Sequence, residues 1–161
     1  EGASESDPGF LGKWKMGLGQ GNRTGDISDG LSKTMAVSEV LGWDSQRDIR
    51  GVWTCPTPGA SSFTAKWQPN ASSPNDDLVK DHIVGCERSR TNGPPPGHPL
   101  ACKPTRDDGS GWASARSNHT GGVVVGMGDS GTKLMVDDTN NLVWIAMSTR
   151  AAGEQISDDL D

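Results

Sequence analysis

The chain has 161 residues, a net charge of −6 and only 32% hydrophobic residues, against 22 Gly and 10 Pro. That length suits a single domain over residues 1–161, and the Gly and Pro content predicts a modest sheet with many turns and long loops, not a helical bundle. The acidic balance leaves no basic stripe for nucleic acid and disfavours an anionic membrane surface.

No apolar run nears the roughly 20 residues of a spanning helix. The start "EGASESDPGF" lacks the charged and apolar regions of a signal peptide. The chain as it stands is therefore expected to be soluble and to make no membrane contact.

Residues 1–25 are Gly-rich and aperiodic, and "GLGQGNRTG" reads as loop. A lone "GLGQG" points only faintly to phosphate, because no apolar strand precedes it and no helix follows. The stretch "GDISDGLSKTMAVSEVLGW" then runs from a turn at Asp29-Gly30, which Ser32 or Thr34 can cap, into a strand over about 34–40. Met35, Val37 and Leu41 are expected on one side of it. Glu39 reads as an edge carboxylate, with a ligand role as the sharper alternative. "RGVWTC" is β-prone, "PTPGASSFTAKWQPNASSPND" is mostly turn chemistry, and "DLVKDHIVGC" is too short to type.

The segment 87–111 carries five of the ten prolines and predicts a long surface loop. Cys86 and Cys102 bracket most of it, leaving Cys55 as the odd thiol. A disulfide closing a loop of that size contributes about 3 kcal/mol in the chain-entropy model and implies an oxidising compartment. The alternatives are free thiols, or a zinc set from His82, Cys86, His98 and Cys102. Against zinc, His98 sits between Gly97 and Pro99, where no helical turn would present it beside Cys102.

The last third is the best patterned. "GGVVVGMGDSGTKLMV" reads as two strands around a Gly-Asp-Ser-Gly turn. Val123, Val125 and Met127 share one face, and Val124 and Gly126 the other. "DDTNNLVWIAMSTRAAGE" offers Asp and Thr caps before a short helix carrying Leu142, Trp144, Ile145 and Met147, ending near 151–153. If the strand is extended at about 3.3 Å per residue, His119 and Asp129 lie roughly 30 Å apart. They cannot form a dyad. Asp129 is expected to accept turn N–H bonds. His119 is expected to tie the hairpin to a neighbour, with "DISDG" the first choice; a buried bond of that kind is worth about 1–3 kcal/mol.

His119, nine residues, then Asp129 in "RSNHTGGVVVGMGDSGTKLM" resembles the His-x9-Asp-Gly signature of prepilin-processing-associated domains of planctomycete-type bacteria. "DISDGLSKTMAVSEVL" is similar to that family's "ITDGxSNT…xxE" segment, and "LVWIAMSTRAAGE" to its closing block. The positions that carry the likeness are Asp29, Gly30, Glu39, His119, Gly121, Gly122, Asp129 and Gly131. Ser130 stands where the family has Gly, so Gly131 is expected to supply the positive φ one position later.

The resemblance implies a β-rich α+β head of pilin-like type: an antiparallel sheet, long Pro/Gly-rich loops and a short C-terminal helix. It also implies that the chain is the C-terminal portion of a pseudopilin-like protein. The prepilin peptide and apolar helix would lie upstream of Glu1, with a possible partner for Cys55 there. The expected function is an exported structural subunit, displayed extracellularly or at the cell surface, packing with other pilin-like subunits through that helix. The alternative is a displayed carbohydrate-binding module using exposed members of Trp14, Trp43, Trp53, Trp67, Trp112 and Trp144, although Trp144 reads as core. No Ser-His-Asp elbow, zincin helix or paired-carboxylate pocket is legible, so no enzyme and no cofactor are expected. Asp137, Asp138 and the tail "SDDLD" are weak calcium ligands at most; helix capping and a solvated tail are the plainer reading.

Overall fold

Strand-forming residues gather in the last third of the chain, and two of the three strands of the main sheet are built there. The computed structural model describes residues 23–72, 79–88, 91–95, 97–105, 111–151 and 153. Its strands are β1 (Met35–Ser38), β2 (Asp81–Ile83), β3 (Cys102–Pro104), β4 (Gly122–Met127) and β5 (Thr132–Val136), followed by the α-helix α1 (Asn141–Ser148). The "GLGQG" stretch, Trp14 and the tail "SDDLD" fall outside the described residues.

The fold is β-rich α+β, with an antiparallel sheet in the order β1-β4-β5 and a separate parallel pair, β2 and β3. The period-2 pattern of β4 does what it predicts: Val123, Val125 and Met127 are buried while Val124 faces out. Met135 of β5 lies opposite Val123 and is buried with it. On this inner face α1 lays down Trp144 and Met147, with Phe63 beside the Trp144 ring at 6.0 Å. Three residues along a helix keep Trp144 and Met147 on one side, but Leu142 lies about 200° from Trp144. Leu142 is accordingly exposed.

The helix start also differs from expectation. Asn140 is the cap, its side-chain oxygen accepting from the Leu142 N–H at 2.9 Å. Thr139 instead turns its hydroxyl to the Val136 carbonyl, 2.6 Å away. The helix stops at Ser148, because Thr149 is extended (φ −90°, ψ 164°) and donates its hydroxyl to the Ala146 carbonyl.

In β1 the expected common face of Met35 and Val37 is broken by a bulge. Met35 pairs with Met127 but Val37 pairs with Gly126, so one extra residue is taken up between them. Met35 stays buried and Val37 turns outward, 62% exposed. Gly126 makes room for it: a Cβ there would stand 2.8 Å from Val37 Cγ2.

The β4–β5 hairpin turns through Gly128, Asp129 and Ser130. Met127 N–H donates to the Gly131 carbonyl at 2.8 Å, and Ser130 N–H to the Met127 carbonyl at 3.0 Å. The positive φ falls on Ser130 (73°) and not on Gly131. The third residue of a three-residue hairpin loop needs the left-handed conformation, whatever side chain it carries. A serine there is strained by roughly 1 kcal/mol against glycine. Ser130→Gly is expected to raise stability by about 0.5–1 kcal/mol after the added freedom of the unfolded chain is counted. Urea unfolding checks this; an unchanged or lower midpoint refutes it.

The parallel pair organises the middle of the chain. The Cys86–Cys102 disulfide, with Cα atoms 6.0 Å apart, joins the residues after β2 to the first residue of β3. Strand β3 thus lies inside the 87–111 segment. Leu100 is buried there, and its carbonyl accepts from Arg50 Nη1. On the other side of β2, His82 and Trp112 exchange backbone hydrogen bonds of 2.8 Å each. The zinc set is ruled out by this geometry: both sulfurs are bonded to each other, and the His82 ring stacks on Trp112 at 3.7 Å. Cys55 is a free, half-buried thiol 3.3 Å from the Thr57 hydroxyl.

Candidate functional site

The antiparallel β1–β4 pairing sets Ser38 opposite Val125, so the next residue, Glu39, arrives at the beginning of β4. There its Oε1 meets His119 Nε2 at 3.2 Å, while Oε2 accepts from the Val124 N–H at 2.7 Å. The Glu39 carbonyl accepts from the Arg116 N–H at 2.9 Å. His119 therefore ties the hairpin to the end of β1, not to the Asp29 turn. Its side chain is 59% exposed, so the contact is worth well under the value of a buried bond, about 1 kcal/mol or less.

The two glycines after His119 have different reasons. Gly121 takes φ +81° and offers its carbonyl to the Asp137 N–H at 3.0 Å. Gly122 lies so close to β5 that a Cβ would run into the Met135 carbonyl. At the far end of β4, Asp129 Oδ1 accepts from the Gly131 N–H at 2.9 Å. His119 and Asp129 do not meet.

Asp29 and Gly30 serve another junction. Gly30 takes φ +97°, and Thr34 donates its hydroxyl to the Gly30 carbonyl at 3.1 Å. Asp29 Oδ1 accepts from the Gly153 N–H at 3.1 Å, and its own N–H donates to the Arg150 carbonyl. This turn thereby holds the chain that leaves α1. Asp137 Oδ1 accepts from Asn70 Nδ2 at 2.7 Å, and Asp138 is exposed. Neither caps the helix. Among the described residues, no three His, Cys, Asp or Glu side chains converge as metal ligands would.

Two buried ion pairs escape sequence reasoning. Arg116 grips Asp81 through Nε and Nη2, each at 2.8 Å, with both side chains at most 4% exposed. The same Asp81 takes the Ser114 N–H, and Arg116 Nη2 also reaches the Ala71 carbonyl. Asp48 and Arg50 form a second bidentate pair at 2.8 and 2.7 Å. "ARSNH" shows an arginine three residues before His119, but nothing local says that it is buried.

Burial works to raise the Asp48 carboxyl, yet the Arg50 side chain and the backbone N–H groups of Glu87 and Arg50 outweigh it and hold it below the usual 3.8. A depressed folded value means the stabilisation is full above the unfolded carboxylate range and is lost as pH falls through the folded value. Asp48→Asn is expected to flatten the acid limb of urea midpoints measured from about pH 5 down to pH 2. An acid limb as steep as the wild type's would refute this.

The described surface carries a groove beside the Glu39–His119 contact. One part, about 490 Å³, runs between Trp43, His98, Asn70 and Arg116. A second part, also about 490 Å³, shares Leu41, Arg116, Ser117 and Asn118 with the first and ends at Glu39 and His119. The family-like residues thus form one end of it, and Trp43 the other. Of the remaining tryptophans, Trp144 is core, Trp112 lies between His82 and the Lys66 ammonium, Trp67 is half-buried and Trp53 is 83% exposed.

The family model described as a protein of unknown function, DUF1559, matches residues 2–142. The chain belongs to the DUF1559 family. This is the prepilin-type processing-associated domain family. The match takes in the Asp29 turn, Glu39 and the whole hairpin, and it ends as α1 begins, before most of the "LVWIAMSTRAAGE" block. No curated protein and no solved structure shows a match to this DUF1559 chain.

Proposed function

We propose that the chain is the head of an exported, pilin-like structural subunit that forms or decorates an extracellular filament or pseudopilus, without catalysis. The match of a prepilin-processing-associated family across residues 2–142 carries this reading. The Cys86–Cys102 bridge supports export, because such bonds persist in oxidising compartments. The motif residues support a structural role: Glu39, His119, Asp129 and Asp29 each close a junction between backbone segments. An apolar N-terminal helix, packing against those of neighbouring subunits, would hold the heads on the filament.

The test is to express the complete encoded protein in its host with and without the prepilin peptidase. A shorter form in the sheared surface fraction, lost when the peptidase is deleted, is the expected result. The same size and location in both strains would overturn the proposal.

A further inference from the structure

We infer that the groove between Trp43 and Arg116 binds a neutral saccharide. The site begins with a fixed aromatic plate. Trp43 Nε1 donates to the Asn92 carbonyl at 2.7 Å, and the His98 ring packs edge-on against the indole at 5.3 Å. Both rings line the groove. An indole held at its N–H and on one side is an apolar surface preset for the C–H face of a sugar ring, with little side-chain freedom left to lose.

Facing it are polar groups of the kind hydroxyls need. His98 Nδ1 accepts from the Leu100 N–H at 3.1 Å, which leaves Nε2 as its donor. The side chains of Asn118 and Ser72, both on the wall and both exposed, make no hydrogen bond among the described residues. Arg116 also lines this wall, but its Nε and Nη2 are spent on Asp81 and the Ala71 carbonyl, and its Nη1 is shut off from solvent with no partner among the described residues.

Charge decides between saccharide classes. Asp81 neutralises Arg116, which leaves the carboxylates of Asp137 and Glu39 as the net charge of the combined groove. Uronic or sulfated sugars are repelled. A divalent cation is not favoured either, because Asp137 is bonded to Asn70 in one part, and Glu39 to His119 and Val124 at the other end. At about 490 Å³ for each part, the groove is in the size range of small-ligand sites. Its two connected parts suit an oligosaccharide better than a single ring.

The experiment is calorimetric and fluorescence titration of the protein with cello-, malto-, manno-, xylo- and galacto-tetraose, and with tri-galacturonate as the charged control. At least one neutral tetraose is expected to bind with a Kd of about 1 mM or tighter, shifting tryptophan emission. Trp43→Ala and, separately, Asn118→Ala are expected to weaken it about tenfold or more, with Trp53→Ala unchanged. Trp43→Phe keeps a ring and is expected to retain part of the affinity, which separates lost stacking from lost folding. No binding of any neutral tetraose, stronger binding of the uronate, or binding indifferent to both Trp43→Ala and Asn118→Ala would each overturn the inference.

Discussion

Arg116→Met is expected to destabilise the fold by about 3–5 kcal/mol, because it leaves the Asp81 carboxylate buried and unpaired. Asp81 is 1% exposed, and only the Ser114 N–H would remain of the bonds it accepts from Ser114 and Arg116. The loss would also free the Ala71 carbonyl that Arg116 now holds. Since burying two charges is itself expensive, removing both is far milder than removing one. The double change Arg116→Met with Asp81→Leu is expected to recover most of the loss. Urea denaturation of the two single variants and the double variant reads the coupling directly. A single-variant cost below about 1 kcal/mol would show that the pair is not acting as a buried unit.

Replacing both disulfide cysteines, as Cys86→Ser with Cys102→Ser, is expected to cost about 3 kcal/mol. The bond spans a sequence separation of 16 residues, and among the described residues of the enclosed loop Leu100 is the buried hydrophobic one. For a domain of this size that is a fall of roughly 6–12 °C in melting temperature. Parallel strands β2 and β3 are only three residues each, so their pairing is too short to hold the loop once it is cut free. Non-reducing peptide mapping fixes the starting state. A variant melting within about 2 °C of the parent would mean that backbone contacts alone close the loop.

The hairpin, the short helix, the Trp144 core position and the disulfide are legible in the sequence because each has a local signal. Val123, Val125 and Met127 alternate with outward residues, and the two cysteines bracket a stretch that cannot hold its own ends. What fails does so where the deciding contact is distant or geometric. The bulge that flips Val37 depends on Gly126, about ninety residues further on. His119 finds Glu39, not the Asp29 turn, because strand register delivers it there. Ser130, not Gly131, takes the left-handed turn position, since the hairpin fixes the place and not the residue. The groove is the largest omission. Trp43 and Arg116 carry no spacing that announces a shared groove, and the buried pairing of Arg116 with Asp81 rests on contacts between residues 35 apart.

The bulged β1–β4 pairing sets an order of events in time. Strands β4 and β5 are neighbours in sequence, so their hairpin closes on the microsecond scale once both exist. Strand β1 has no such partner nearby: Met35 must wait for Met127. At about 5–20 residues per second a ribosome needs roughly 5–18 s to make the intervening chain. Throughout that interval the Met35–Ser38 segment has an unsatisfied ladder and an apolar side chain on each face, the condition in which strands recruit strangers. The sheet is expected to be completed from its C-terminal end backwards, with residues 35–38 the last to find their partner.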